Sequence, residues 1–354
     1  MLRTAEHVGL RVRSALGAAV PRPVPFLILK ITGACNARCR TCNVSIPGAA
    51  PPALTLSAQV AEGAIRQMAL HGTLFVGFVG GEPLLHAGLF DMLALCRDLG
   101  MRTNLNSHGG LIDERAAAAL GSAGLSYLSL SLDSPDPATN DLIRKGVSFA
   151  SVLEAVRRVR RLSPATRVSL GMTVTRHNVG EMAAMCALAA REGVRYVKFQ
   201  PFHDNLDQNT GPGDPRGEMA LGPGDWPRLS AALRAAHQAA GRFDIITNAR
   251  MLLSELGPVV RASRTLPCVA GDATVFVAPS GQAGGCPEKV TLRTLHDHSL
   301  DELMALEPDV FRLAEACPRL PSCFDTTYGE VSHLLRRNDA GRAIDLFDRA
   351  MFYA

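Results

Sequence analysis

The chain has 354 residues, enough for a large α/β core, and a net charge of only +4, spread between 37 Lys plus Arg and 33 Asp plus Glu. The basic residues are mostly Arg scattered among many Ala, which argues against a nucleic-acid surface. No apolar run reaches the roughly 18 residues of a membrane span, and no signal peptide is visible, so the expectation is a cytoplasmic protein whose thiols stay reduced.

Residues 1–24 form a basic amphipathic segment closing on Pro21-Arg-Pro23. It reads as a cap on the lower end of the core, with contact to a membrane or partner as the other reading. Six short apolar runs follow as predicted strands: Phe26–Ile31, Leu74–Val79, Arg102–Asn106, Tyr127–Leu132, Val168–Val174 and Tyr196–Gln200. Helical patterns lie between them near 57–71, 86–99, 113–123, 148–162 and 179–192. Strands and helices alternating at this spacing predict a parallel sheet wrapped by crossover helices, with the chemistry at the C-terminal ends of the strands.

The first strand runs directly into Cys35, Cys39 and Cys42. Three soft thiolates this close suit an iron–sulfur cluster, holding three irons of a [4Fe–4S] cube and leaving the fourth open. Zinc would need a fourth ligand, and His7 and His71 lie well outside the loop. Disulfides would leave one thiol over. The spacing C-x3-C-x2-C after a strand resembles the radical S-adenosylmethionine (SAM) superfamily. That resemblance implies a partial (β/α)6 TIM-type barrel in which SAM chelates the open iron. An electron from the cluster then cleaves SAM to a 5′-deoxyadenosyl radical, which calls for an electron donor such as flavodoxin or ferredoxin.

Further motifs fall at strand ends. Gly80-Gly81-Glu82-Pro83 follows strand two; its glycines permit close backbone approach to a ligand, and its carboxylate can accept from an ammonium. In position it resembles the family's GGE motif, which implies that Gly80, Gly81 and Glu82 bind the SAM amino group. Strand three ends Asn106-Ser107-His108-Gly109, where many relatives have Thr-Asn-Gly, so His108 stands in place of Asn. Ser131 and Asp133 at the end of strand four resemble a Ser-x-Asp that reaches the SAM ribose or carboxylate. Arg144 resembles an Arg that grips the carboxylate with its guanidinium fork; a solvated helix Arg is the other reading.

From Pro201 to Asp225 the chain is rich in Gly, Pro, Asp and Asn, and reads either as a lid over the barrel mouth or as a plain surface connector. It holds the weak acid–base candidates His203, Asp204 and Asp207. A helix near 226–240 precedes a tail with Cys268, Cys286, Cys317 and Cys323 and a predicted strand Thr274–Ala278. The expected organisation is therefore 1–24, a core over 25–225, and a C-terminal region over 226–354. The tail resembles SPASM and shorter twitch appendages, with Ala314 and Thr327 where two further cysteines would be expected. Four thiolates imply one auxiliary [4Fe–4S] cluster, with structural zinc as the alternative. Cys96 and Cys186 lie in Ala/Leu/Met-rich helices and read as core residues.

The resemblance leads first to a dehydrogenase or epimerase of a sugar, cyclitol or aminoglycoside-like metabolite. The 24 residues before the first strand are too few for an added peptide-recognition domain of about 80 residues. The alternative is a peptide-modifying maturase. A non-enzymatic iron–sulfur redox sensor would leave the SAM motifs without purpose. The ending Phe352-Tyr-Ala354 lacks the Gly-Gly tail of molybdenum-cofactor relatives.

Overall fold

The computed structural model describes residues 24, 26–42, 54–202, 215–253, 274–287 and 289–311. Nearly all of the basic N-terminal segment, the acid–base candidates His203, Asp204 and Asp207, and Cys268, Cys317 and Cys323 lie outside the described residues. Among those residues no helix is long and apolar enough to cross a membrane.

Six parallel strands form the core: β1 (Phe26–Thr32), β2 (Phe75–Gly80), β3 (Arg102–Ser107), β4 (Tyr127–Ser131), β5 (Arg167–Val174) and β6 (Tyr196–Pro201). Each predicted strand is found to within one residue at either end. The connecting helices are α1 (Ala58–Leu70), α2 (Leu89–Asp98), α3 (Glu114–Ser122), α4 (Pro137–Ile143), α5 (Phe149–Leu162) and α6 (Met182–Arg191). Side-chain oxygens start several of them: Ser57, Asp113, Asp136 and Ser148 each accept from a backbone N–H in the first turn. The short α4, capped by Asp136 and opened by Pro137, was not among the predicted helices.

Strand alternation sorts the core. Leu27, Leu29 and Ile31 of β1 are fully buried and join Ala61, Ile65 and Met68 of α1 in one apolar cluster. The opposite face is polar towards its upper end. Ser129 Oγ lies 3.2 Å from Asn104 Oδ1 and 2.9 Å from Ser169 Oγ, while Lys30, Ser131 and Lys198 keep partial exposure and Asn106 is exposed. β1 and β6 do not pair with each other; β1 lies between β2 and β8, and β6 between β5 and β7. The sheet is therefore a curled but unclosed barrel, as expected for six units.

The later residues extend that same sheet. After α7 (Trp226–Phe243), the short β7 (Ile246–Thr247) pairs with β6, and Asn248 bonds both Phe199 N and Phe199 O at 2.9 Å. β8 (Thr274–Val277) runs parallel to β1, with Phe26 opposite Thr274 and Leu29 opposite Val277, and β9 (Ala283–Gly284) folds back on it. The predicted strand at 274–278 is thus present, and it borders the barrel.

α8 (Leu300–Leu306), started by a Ser299–Glu302 capping box, sits on the end of α1. Leu300 N–H donates to Gln67 Oε1 at 2.8 Å, and His71 Nε2 lies 2.5 Å from Asp301 Oδ1. Gln67 thus serves as a borrowed cap. Gln67→Ala should lower the free energy of unfolding by about 1 kcal/mol, the worth of a lost cap, as read by urea denaturation. Unchanged stability would mean that this contact does not hold α8 in place.

Candidate active site

The loop after β1 carries Cys35, Cys39 and Cys42, all partly exposed and free of disulfides. Backbone hydrogen bonds tie it down on three sides. Gly33 N donates to Leu54 O (2.8 Å), Gly81 N to Thr32 O (2.8 Å) and Glu82 N to Ala34 O (2.7 Å). Arg38 N donates to Lys145 O (2.7 Å) and Arg40 N to Ile143 O (2.8 Å). A Cβ on Gly81 would stand 2.1 Å from the Ala34 carbonyl oxygen, and one on Gly80 2.3 Å from that of Thr32. The close approach that these glycines permit is made to the cysteine loop itself.

Burial pushes the Cys35 and Cys39 thiols above their ordinary values, and neighbouring thiolates add to the rise. The Ala37 N–H, 3.4 Å from Cys35 Sγ, and the Arg144 guanidinium, 3.9 Å from Cys39 Sγ, pull the other way. Bound metal would resolve this crowding, because a cation replaces the proton on each sulfur. Among the described residues no three His, Cys, Asp or Glu converge as ligands of a single ion. A cube asks for a different arrangement, one thiolate on each of three irons. By contrast, Cys96 and Cys186 are fully buried, with thiols pushed up to about 12 by burial, as expected of core residues.

Glu82 has no exposed surface, and its carboxylate is occupied by protein donors. Oε1 accepts from Leu84 N (3.1 Å) and Ser107 Oγ (2.9 Å). Oε2 accepts from His108 N (2.9 Å) and Ser107 Oγ (3.1 Å) and lies 3.2 Å from His108 Nε2. These donors come from the turn that Glu82 itself opens and from the end of β3. Together they join β2 to β3 beneath the cysteine loop.

Asp133, just past β4, is likewise fully buried. Its N–H donates to Asn140 Oδ1 (3.0 Å), and its carbonyl accepts from Asn178 Nδ2 (2.6 Å). Thr173 N–H donates to Oδ1 (2.8 Å). Arg144 reaches over with Nε 2.7 Å from Oδ2 and Nη2 3.4 Å from Oδ1. Burial opposes the Arg144 charge, but Asp133 and the thiolate of Cys39 outweigh it and raise its pKa. The Nε–Oδ2 contact is an ion pair without hydrogen-bond alignment, so a buried acceptor and a buried donor keep hydrogen-bonding capacity beside Cys39. That chemistry fits a zwitterionic ligand next to a cluster. Ser131, the last residue of β4, is partly exposed.

The structure thus brings Cys35, Cys39, Cys42, Gly80, Gly81, Glu82, Asp133 and Arg144 to one end of the barrel. Sequence reasoning missed Asn36, Ser107, Asn140 and Asn178 as members. Three of these four are buried polar residues, which is their common signal. Glu218, in the described stretch that resumes at residue 215, lies 3.5 Å from Arg40 of the cysteine loop. Glu82→Ala would leave the Ser107 and His108 donors unpaired. It should cost about 3 kcal/mol of stability in denaturant melts, as loss of one member of a buried charged network does. Unchanged stability would mean that this carboxylate does not brace β2 against β3.

Comparison with known proteins places this geometry. Residues 29–189 match the model of the Radical SAM superfamily. PqqA peptide cyclase of Gluconobacter oxydans is 28% identical over 311 residues, spanning 84% of this chain and 82% of that protein. Among solved structures, native anSMEcpe with bound AdoMet superposes with a TM-score of 0.65 at 17% identity, covering 93% of this chain and 97% of the other. Streptococcus suis SuiB bound to precursor peptide SuiA gives a TM-score of 0.65 at 14% identity, covering 89% and 72%. Family match, fold and cysteine loop agree: residues 29–189 form a radical SAM domain, a family that implies a [4Fe–4S] cluster and SAM.

Proposed function

We propose that the protein is a peptide-modifying radical SAM enzyme. When bound, the cluster and SAM supply one-electron chemistry at an unactivated C–H bond. The chain's part is to hold three thiolates in a backbone-stitched loop, with Arg144 and Asp133 set for the charged groups of SAM. The observation that carries the peptide substrate is the long alignment with a peptide cyclase, which continues well past residue 189, where the family match stops. It favours a peptide over the sugar, cyclitol or aminoglycoside reading. It also removes the argument from the short N-terminus, since a protein named for acting on a peptide aligns over most of its own length. The named relative is a cyclase, so ring or cross-link formation replaces simple dehydrogenation or epimerisation as the outcome. An electron donor of the flavodoxin or ferredoxin type belongs to the same reading.

The tail cysteines complete it. Cys286 is partly exposed, beside β9, and bridges to Lys289. Together with Cys268, Cys317 and Cys323 it would ligate one auxiliary cluster in the 226–354 region and carry away the electron left by the substrate. Anaerobically reconstituted protein should hold about eight irons per chain, and a variant lacking these four cysteines about four. Given SAM, dithionite and a synthetic copy of a short peptide encoded beside the gene, the full protein should change the mass of the peptide. The four-cysteine variant should still release 5′-deoxyadenosine but leave the peptide unmodified. Modification of a sugar or cyclitol with the peptide untouched would overturn the substrate, and one bound zinc in the tail would overturn the auxiliary cluster.

A further inference from the structure

The geometry points to His108 as a positioning residue for the SAM-binding cluster, holding the cysteine loop through Asn36. His108 is buried at the end of β3. Its Nδ1 accepts from Gly110 N at 2.9 Å, which puts the ring proton on Nε2. That N–H faces Asn36 Oδ1 at 2.8 Å and Glu82 Oε2 at 3.2 Å. Asn36 directly follows Cys35, so one ring joins the first turn of the cysteine loop to the carboxylate that braces β2 against β3. Burial keeps the imidazole below its ordinary pKa, against the pull of Glu82, in accord with a neutral donor.

Reach makes the residue type matter. An Asn at 108 would end its amide near the place of the ring's Nδ1, short of Asn36, whereas a Gln would carry its amide nitrogen to about the place of Nε2. The position therefore separates a donor from mere bulk. Asn36 is itself exposed, so the imidazole adds a side-chain tie to a turn whose backbone is held on either side through Ala34 O and Arg38 N. A loosened turn would shift Cys35 relative to Cys39 and Cys42, and with it the iron face offered to SAM.

The test uses holoprotein reconstituted with iron and sulfide, and SAM as the probe. His108→Leu and Asn36→Ala should each weaken SAM binding in equilibrium dialysis about fivefold, the worth of one hydrogen bond. Iron per chain should stay unchanged, and the electron paramagnetic resonance signal of the reduced cluster with SAM should shift in the same sense for both. The double variant should be no worse than the weaker single one, and His108→Gln should restore wild-type binding and signal. If His108→Leu fails to hold iron, Asn36→Ala and His108→Gln decide the matter alone. Wild-type binding by Asn36→Ala, a His108→Gln variant that fails to bind SAM normally, or fully additive losses in the double variant would each overturn the assignment.

Discussion

One buried carboxylate underlies the site. Glu82 is fully buried, and it is stabilised there because backbone and hydroxyl donors converge on it from β3 and from its own turn. Meeting that demand fixes where β2 ends relative to β3. It also presents Gly80 and Gly81 edge-on to the cysteine loop, at a separation that a single Cβ would abolish. The loop's conformation thus rests on satisfied polarity in the layer beneath it. The sulfurs above are left partly exposed, as they must be to meet iron.

A second buried pair governs the electrostatics. Asp133 and Arg144, on either side of α4, neutralise each other, and the guanidinium also leans on Cys39. A cation at that distance favours the thiolate that iron needs. Because Oδ2 and Nε are close but misaligned, the pair keeps capacity for a charged ligand. The Asn140 and Asn178 amides hold the Asp133 backbone so that the pair does not depend on a flexible loop. Both features are what a domain gains by placing chemistry at the C-terminal ends of parallel strands.

Local signals in the sequence reached far into this structure. The six core strands were legible as short apolar runs alternating with helical patterns along the chain. The cysteine triad and the Gly-Gly turn were legible because short spacing carries their chemistry. What escaped was pairing between distant segments. Nothing local in Gly81 says that its close neighbour is Ala34, and nothing in Glu82 says that Ser107 and His108 will donate to it. β8 was recognised as a strand, yet its place beside β1 follows from the edge that six strands leave open, which no window of sequence contains. Likewise α8 is too short to be seen by periodicity, and its position depends on Gln67 and His71 of a helix near the other end of the chain.

The central claim is that Cys35, Cys39 and Cys42 hold the cluster that activates SAM. It is tested most directly by measuring 5′-deoxyadenosine formed from SAM under dithionite, comparing reconstituted wild-type protein with a variant carrying Ala at all three positions. The account predicts release of 5′-deoxyadenosine and methionine by the wild type and none by the variant, with the variant still folded. Undiminished cleavage by the variant would contradict it.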